Sequence, residues 1–334
     1  MNKKLLLGIG LGIVLIYFSV RGIDFNETLT HLKKVHLGYA GLSLFFIILM
    51  QALRSYRWGV ILQPMEKISQ FTLFAVTSVG FLAIAAIPAR IGELARPYLI
   101  AKKSSIKMSS ALGTIIVERV LDSLAVLTMT VAVFILQDLP SWMIKSGILF
   151  FIVTMLVIAC MIGLILRRER AVKIIDRILR WLPGKPAQKV NHVIHHFIDG
   201  FQVITDVKRL LYLLLLSAVV WLVDVAAIYT LLLAFGFKLP VLAAFVVMVI
   251  LIAGIAIPTA PGFIGNWHYA CILGLSLFGI AKPEGFSFAL VYHFLSMIIV
   301  IILGAIFLPF NKLSISDMTK QMAEDKESRL NDQD

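Results

Sequence analysis

The sequence predicts an all-α polytopic membrane protein, and three observations support this fold class. The 334-residue chain is 60% hydrophobic and only 15% charged, which is far more apolar than a soluble globular domain. The apolar residues form runs that are long enough to cross the hydrocarbon core as helices. Most charged residues fall between these runs. We expect about six full crossings and two re-entrant helical hairpins, broken by Pro and Gly, in a pseudo-inverted arrangement.

The runs define the predicted crossings and the domain boundary. We place crossing helices at 4–21, 38–62, 109–136, 146–166, 209–234 and 285–308. The first run follows the basic start MNKK, as in a signal peptide, but YFSVRG offers no small-residue cleavage site, which favours a retained helix. Residues 1–310 are therefore predicted to form one integral membrane domain. The polar tail 311–334 is expected to be poorly ordered.

The distribution of basic residues predicts the orientation. With both termini in the cytoplasm, the cytoplasmic stretches hold 22 Lys and Arg and the outer stretches hold 6. The remaining three are Arg90, Arg96 and Arg119, at apparent membrane depth. This asymmetry follows the positive-inside rule.

Several classes of function are disfavoured. The net charge of +12 comes from basic loops that report membrane orientation, so nucleic-acid binding is not predicted. Cys160 and Cys271 both lie in apolar runs, which leaves no disulfide framework or CxxC pair. The sequence has no P-loop, dinucleotide fingerprint, HExxH or serine-hydrolase elbow, and we predict neither a cofactor nor a metal.

The segment 168–208 alternates apolar and basic positions at helical spacing, with a break at LPGKP. We expect it to lie on the cytoplasmic surface. Two interpretations stay open, a helical hairpin packed on the bundle and a docking patch for anionic lipid.

Two broken segments, 71–103 and 241–280, share a pattern. The first contains FLAIAAIPARIGELARPYL and the second LIAGIAIPTAPGFIGNWHY, and each has Ala-Ile-Pro followed by irregular Gly-containing sequence. In the predicted topology they enter from opposite faces. Paired Gly/Pro-interrupted apolar segments are typical of an inverted repeat with a binding site near the bilayer midplane.

The breaks predict an anion site. Pro97 suits the first turn of a new half-helix, whereas Arg96, which precedes it, should be extended. Asn266 is a good N-cap for a half-helix that starts at Trp267. Unpaired N–H groups at such termini favour an anion, and the Arg side chains add donors suited to phosphate. The predicted substrate-binding residues are Arg90, Arg96, Glu93, Gly92, Gly262, Gly265, Asn266 and His268. Alternatively, the arginines pair with Glu93 and lock the loop.

Other polar residues lie inside the apolar runs and must face the bundle. Glu118 and Asp122 are four residues apart on one helix face, with Arg119 beside them. They either balance Arg90 or Arg96, or serve as a proton or cation relay. Asp224 and His293 complete the predicted charge network.

The motifs RIGELARPYL, ERVLD, PGFIGNWHYACILGLSLFG and LVYHF together resemble the flippase-like membrane domain family. That family includes the membrane part of lysylphosphatidylglycerol synthases and stand-alone bacterial and archaeal inner-membrane proteins. The resemblance covers roughly residues 5–310. It implies a role in moving polar lipids or lipid-linked glycans across the cytoplasmic membrane. Lysine transfer is not expected, because only a short tail follows residue 310.

One departure from the family pattern concerns two histidines. His268 stands where many members carry glutamate, and His293 where many carry arginine. If the Glu–Arg pair bridges the half-helix to the last crossing, a His–His contact replaces it here.

The leading hypothesis is a flippase- or scramblase-type transporter of an anionic phospholipid or a polyprenyl-phosphate-linked substrate. Two alternatives stay open. One is an intramembrane enzyme that acts on lipid-linked phosphates or sugars, although no clear catalytic pair supports it. The other is an accessory subunit of a lipid or glycan synthase, with a homo-oligomer or a synthase as partner.

Overall fold

The computed structural model describes residues 3–86, 92–136, 141–166, 196–256 and 261–311. Within these ranges the chain forms α-helices and short 3-10 turns and no strand, which confirms the predicted all-α membrane fold. The helices are α1 (Lys3–Val20), α2 (Phe25–Lys33), α3 (Leu37–Leu62), α4 (Gln70–Ala86), α5 (Ala95–Lys103), α6 (Met108–Leu136), α7 (Ser141–Leu166), α8 (Val207–Ala234), α9 (Val241–Ala256), α10 (Asn266–Ser276) and α11 (Lys282–Phe307).

Five of these helices are long and apolar enough to cross a membrane, namely α3, α6, α7, α8 and α11. Helix α1 is the sixth predicted crossing, and its qualifying apolar stretch is shorter, at Gly10–Val20, so the count of six stays a prediction. The helix α2 was not predicted. It lies in the expected outer stretch 21–36 and is capped by Asp24, whose carboxylate accepts a hydrogen bond from the Asn26 N–H (2.8 Å).

Helices α3 and α8 pack antiparallel and define two ends of the bundle. The Ser43 hydroxyl near the start of α3 donates to the Ala227 carbonyl (2.8 Å), and Tyr56 near its end meets Tyr212 (3.1 Å between the hydroxyl oxygens). We call the end with residues 63–69, 104–107 and 200–206 the first end. The second end comprises residues 34–36, 235–240 and 277–281.

The first broken segment forms a hairpin. Residues near the end of α4 contact residues near the start of α5, since a Cβ on Gly92 would meet the Ala83 backbone and one on Gly80 would meet the Arg96 side chain. Helices α4 and α5 therefore run antiparallel. This first hairpin starts and finishes at the first end, where the Glu66 carboxylate accepts from the Ser105 N–H (2.8 Å).

The second broken segment forms a matching hairpin of α9 and α10. A Cβ on Gly254 would lie 2.9 Å from that of Ala270, and one on Gly274 would lie 3.1 Å from the Val247 Cα. This second hairpin starts at the second end, so the two hairpins enter the bundle from opposite ends. Whether they re-enter a membrane remains a prediction. Pro88, Arg90 and Pro258 lie outside the described residues.

The two hairpins also touch. The 3-10 turn Pro261–Phe263, which precedes α10, contacts α4 of the first hairpin. The turn contains left-handed backbone at Gly262 (φ 66°) and Phe263 (φ 58°), and Gly265 (φ 99°) follows it. Glycine tolerates such angles, whereas they are uncommon for other residues.

Two hydrophobic cores fill the bundle, and polar residues lie between them. One core contains Val126 of α6 and Trp221 of α8, and the other contains Leu121 of α6 and Leu213 of α8. Asp122 and Ser217 lie between these positions on their helices, and both are buried. The polar residues thus form a layer across the middle of the bundle.

Part of the predicted surface segment 168–208 is described. Ile198, Phe201 and Val203 are buried, and Gly200 lies against Gly113 of α6. This part packs on the bundle. Residues 167–195 lie outside the described residues, as does the tail from residue 312, so the anionic-lipid patch stays a prediction.

Candidate functional site

The centre of the polar layer is an ion pair between Arg96 of α5 and Glu118 of α6. The Arg96 Nη1 and Nη2 atoms donate to Glu118 Oε1 (2.8 Å) and Oε2 (2.9 Å), and both side chains are buried. The Arg96 guanidinium also stacks on the Trp58 ring, 4.3 Å from its centroid. Two parallel hydrogen bonds to a carboxylate are a strong and directional arrangement. Arg96 therefore holds α5 against α6.

A second ion pair lies beside the first. Arg57 of α3 is fully buried, and its Nη1 atom donates to Asp122 Oδ1 (2.7 Å) and to the Ser217 hydroxyl (2.8 Å). The Trp221 indole N–H donates to the same Asp122 oxygen (3.1 Å). A buried charge needs such a set of partners, because the energy of desolvation is large. Three crossing helices are joined at this point.

Arg119 differs from the other two arginines because its side chain is 50% exposed. Its Nη2 atom donates to Glu118 Oε1 (2.7 Å) and lies 3.5 Å from Asp122 Oδ2. Its neighbours Glu118 and Val120 are both buried. The charge of Glu93, at the tip of the first hairpin, also acts on Arg119. Arg119 thus places a half-exposed guanidinium in the middle of α6, near the tip of the first hairpin.

These contacts show what Arg96 pairs with. Glu118 balances Arg96, as one of the interpretations expected, and both Nη atoms of Arg96 are engaged in this pair, while its role as a phosphate ligand stays a prediction. The prediction that Arg96 is extended is wrong, because it lies in the first turn of α5. Its ion pair and its stacking on Trp58 outweigh the local preference before proline. Pro97 lies in that first turn as predicted.

Two arginines lie deeper than the sequence predicts. The predicted cytoplasmic count of 22 includes Arg54 and Arg57 in the stretch 54–70, but both lie inside α3. Without these two arginines, the predicted cytoplasmic stretches hold 20 Lys and Arg and the predicted outer stretches hold 6, so the asymmetry persists. Their position within the predicted helix 38–62 was the signal that could have placed them at depth. Arg54 stacks between two rings, 5.7 Å from the Phe81 centroid and 5.4 Å from the Trp221 centroid.

Asp224 of α8 extends the polar layer towards the second hairpin. It is buried, and the Tyr292 hydroxyl of α11 donates to its Oδ1 atom (3.1 Å). The Arg54 and Asp224 charges act on each other. The Tyr292 ring in turn contacts the Trp267 ring of α10, with centroids 5.2 Å apart. Asp224, whose partner could not be identified from the sequence, therefore connects the polar layer to the second hairpin through Tyr292.

The predicted contact between the two histidines is confirmed. The His268 and His293 rings meet edge to face, with centroids 4.9 Å apart. His293 Nε2 lies 2.7 Å from the Gly262 carbonyl oxygen, so this nitrogen carries the proton and donates. The last crossing is thereby joined to the tip of the second hairpin.

The half-helix α10 starts one residue earlier than predicted. Its first residue is Asn266, and Gly265 is the N-cap. The Asn266 side chain donates to the Gly254 carbonyl (3.0 Å) and accepts from the Trp267 N–H (3.1 Å). It therefore ties the two arms of the second hairpin together. A Cβ on Gly265 would lie 2.5 Å from the Gly12 carbonyl of α1, which fixes the tip against the first helix.

Several buried donors have no hydrogen-bond partner among the described residues. They are Arg57 Nε and Nη2, Arg96 Nε, Trp267 Nε1 and His268 Nδ1, the last of which donates in one tautomer. Such atoms are rare in native proteins and call for an explanation. In the same part of the chain, no group of three His, Cys, Asp or Glu side chains could hold a metal ion.

Comparison with known proteins now identifies the fold family. A family profile described as the lysylphosphatidylglycerol synthase TM region matches residues 5–304. The chain belongs to this family. A UPF0104 membrane protein of Methanothermobacter thermautotrophicus is 23% identical over 95% of this chain and 98% of that protein. Two UPF0104 membrane proteins of Methanocaldococcus jannaschii are 26% and 24% identical, over 66% and 91% of this chain and 90% and 94% of theirs.

The lysylphosphatidylglycerol synthase TM-region family match covers every element of the candidate site, including both hairpins and α11 up to residue 304. The chain is thus a multi-pass membrane protein of this family. The polar layer and the paired histidines are features of its membrane domain.

Proposed function

We propose that this member of the family moves an anionic polar lipid, or a polyprenyl-phosphate-linked glycan, from one leaflet to the other. The observation that carries the proposal is Arg119, a half-exposed guanidinium in the middle of a crossing helix. Ionisable residues at membrane depth are costly and tend to mark substrate pathways. A lipid phosphate would supply the acceptors that a guanidinium needs there.

The surrounding residues leave the phosphate to Arg119 and to the first hairpin. Arg57 and Arg96 retain guanidinium N–H groups without partners among the described residues, but these atoms are buried, and ion pairs with Asp122 and Glu118 hold both side chains. Arg90, two residues before Gly92 in the sequence, stays a proposed ligand, although it lies outside the described residues. In this proposal Arg119 and Arg90 contact the phosphate. Arg96, Glu118, Arg57 and Asp122 hold the helices that carry them.

The second hairpin supplies the other half of the proposed site. Its tip lies against α4 of the first hairpin. The Trp267 indole N–H has no partner within the described residues, and His268 Nδ1 is a further donor in one tautomer. The start of α10 adds the positive end of a helix dipole. Gly262, Gly265, Asn266 and His268 would therefore shape the wall opposite Arg119.

The proposed location is the cytoplasmic membrane of a bacterium or archaeon, with the first end of the bundle in the cytoplasm. The basic residues support this orientation, because the stretches predicted to be cytoplasmic hold 20 Lys and Arg, without Arg54 and Arg57, and the predicted outer stretches hold 6. Both termini would then be cytoplasmic.

The test is leaflet exchange of labelled lipids in liposomes that contain the purified protein. Phosphatidylglycerol should exchange faster than in protein-free liposomes. Arg119→Gln should slow the exchange about tenfold or more, since a hydrogen bond to a charged group contributes about 1.5–3 kcal/mol. Arg90→Gln should act in the same direction.

Lys107→Gln is the matched control, because Lys107 is an exposed cation at the first end, away from the polar layer. It should leave the rate unchanged. Exchange no faster than in empty liposomes, across a panel of lipid phosphates, would overturn the transport proposal. Exchange that Arg119→Gln leaves intact would overturn the assignment of the site.

A further inference from the structure

A cavity of about 690 Å³ opens at the first end of the bundle, apart from the polar layer. It lies where α3 ends and where α4 and α8 begin. Its lining comes from Tyr56, Gly59, Val60, Gln63, Lys67, Ile68, Gln70, Leu73, Asp206, Lys208, Arg209 and Tyr212. Its volume is in the range of sites that bind small molecules.

The rim of this cavity is basic. Lys67 and Lys208 are exposed, and neither has a carboxylate within 4.0 Å among the described residues. The one acid in the lining, Asp206, is already engaged. Its carboxylate caps α8 by accepting from the Arg209 N–H (3.2 Å) and lies 4.0 Å from Arg209 Nε. Two ammonium groups therefore face the opening without a counter-ion.

The floor and one wall of the cavity suit an amphipathic guest. Val60, Ile68 and Leu73 give an apolar floor, and the paired hydroxyls of Tyr56 and Tyr212 form a polar wall. Tyrosine is enriched at the boundary between hydrocarbon and water, and the ends of crossing helices lie at that boundary. A lipid whose phosphate binds at the rim would thus place its glycerol and the first methylene groups of an acyl chain over the apolar floor.

The cavity is held open by contacts that do not involve its basic residues. The Glu66 carboxylate accepts from the Ser105 hydroxyl (2.7 Å) and from the Ser105 N–H, and these bonds lower the pKa of Glu66. The Gln70 amide donates to the Ser55 hydroxyl (3.1 Å). The loop with Lys67 is therefore held between α3 and the loop that joins α5 to α6. A preformed site loses less ordering entropy when it binds a ligand.

We propose that this cavity is a binding site for the phosphate headgroup of an anionic phospholipid in the leaflet at the first end. Lys67 and Lys208 contact the phosphate, while Val60 and Leu73 contact the glycerol and the start of an acyl chain. This site stands whether or not the polar layer transports lipid, because it uses none of the same charged residues.

The test measures binding of short-chain phosphatidylglycerol to the full-length protein in detergent by isothermal titration calorimetry. The variant K67A/K208A should bind at least about tenfold more weakly, because two charge-assisted contacts are lost. The variant K102A/K107A removes two exposed lysines from the same end and should bind as the unmodified protein does.

Two further ligands distinguish the source of the phosphate. Short-chain phosphatidylcholine, whose choline offsets the phosphate charge, should bind more weakly than phosphatidylglycerol and should lose less affinity in K67A/K208A. Glycerol phosphate should bind weakly, and Val60→Trp, which fills the floor, should reduce only lipid binding. Equal loss of glycerol phosphate and lipid binding in K67A/K208A, with no effect of Val60→Trp, would assign the site to a free phosphate and overturn the lipid. Unchanged lipid binding in K67A/K208A would overturn the site.

Discussion

At the scale of single residues, the buried arginines do different work although they lie within one layer. Arg57 and Arg96 are nearly inaccessible, and each is held by a carboxylate on α6. Arg119 shares these carboxylates but is half exposed. A buried ion pair adds little net stability, whereas the loss of one partner leaves an uncompensated charge in a medium that solvates it poorly. We therefore expect Arg57 and Arg96 to be needed for the fold, and we propose that the exposed part of Arg119 contacts the ligand.

Asp122→Asn tests the structural part of this assignment. The change removes the counter-charge of the fully buried Arg57 while it keeps the shape of the side chain. We expect the free energy of unfolding to fall by about 3–5 kcal/mol. Denaturation of the protein in detergent, followed by circular dichroism, measures this loss.

The double variant R57M/D122L should regain much of the lost stability, because it removes both charges. Asp206→Asn, at an exposed helix cap, is the control and should cost less than about 1 kcal/mol, because asparagine caps a helix about as well as aspartate and only the charge at the helix N-terminus is lost. A double variant that is less stable than Asp122→Asn would contradict the explanation.

The histidine pair permits a test by exchange of charge. In this chain two imidazole rings meet, where many family members are expected to carry glutamate and arginine. His268→Glu or His293→Arg alone should destabilise the protein, since each buries an unpaired charge. The double variant H268E/H293R should be more stable than either single variant. A thermal double-mutant cycle measures the coupling, and additive effects would show that the two side chains do not interact.

At the scale of elements, the sequence predicted the helices well and the details at their ends less well. Long apolar runs predicted the ends of α3, α6 and α8 to within about two residues. The length and hydropathy of a crossing helix are properties of its own stretch of sequence. Proline and glycine predicted both breaks for the same reason. The short helix α2 and the helical Arg96 were missed. A cap and a distant ion pair determine them, and neither is visible in a hydropathy pattern.

The tip of the second hairpin gives a test at this scale. Gly265 and Gly279 both have positive φ, at 99° and 76°. A Cβ on Gly265 would lie 2.5 Å from the α1 backbone at Gly12, whereas one on Gly279 would have no atom within 4 Å. Each change to alanine should lower the free energy of unfolding by about 1–2 kcal/mol, because alanine is strained at a positive φ. Gly265→Ala should lose about 1–3 kcal/mol more through overpacking.

Unfolding of the two glycine variants in detergent measures this difference. Equal losses of stability would mean that α1 does not press on the hairpin tip.

At the scale of the whole molecule, the arrangement of the site could be predicted only in outline. The paired breaks indicated two hairpins from opposite faces, and the contacts place them at opposite ends of the bundle. The sequence could not show that Arg96 pairs with Glu118, or that Arg54 and Arg57 lie in the polar layer. These contacts join residues 22 to 65 positions apart, and nothing in a local pattern gives the rotation of one helix against another.

The orientation of the bundle can be tested by labelling single cysteines in a chain with Cys160→Ser and Cys271→Ala. Lys107→Cys lies at the first end and Lys238→Cys at the second, and both positions are exposed. A maleimide that cannot cross membranes should label position 238 on intact cells and position 107 only after the membrane is opened. The reverse pattern would invert the proposed topology.

The contact between the turn Pro261–Phe263 and α4 has a mechanical consequence. Each hairpin reaches the middle of the bundle from its own end, and there the tip of one supports an arm of the other. An outward swing of the first hairpin would remove that support, and the second hairpin would have to shift or lose its packing. In the proposed transport, a displacement of one hairpin would therefore require repacking of the other.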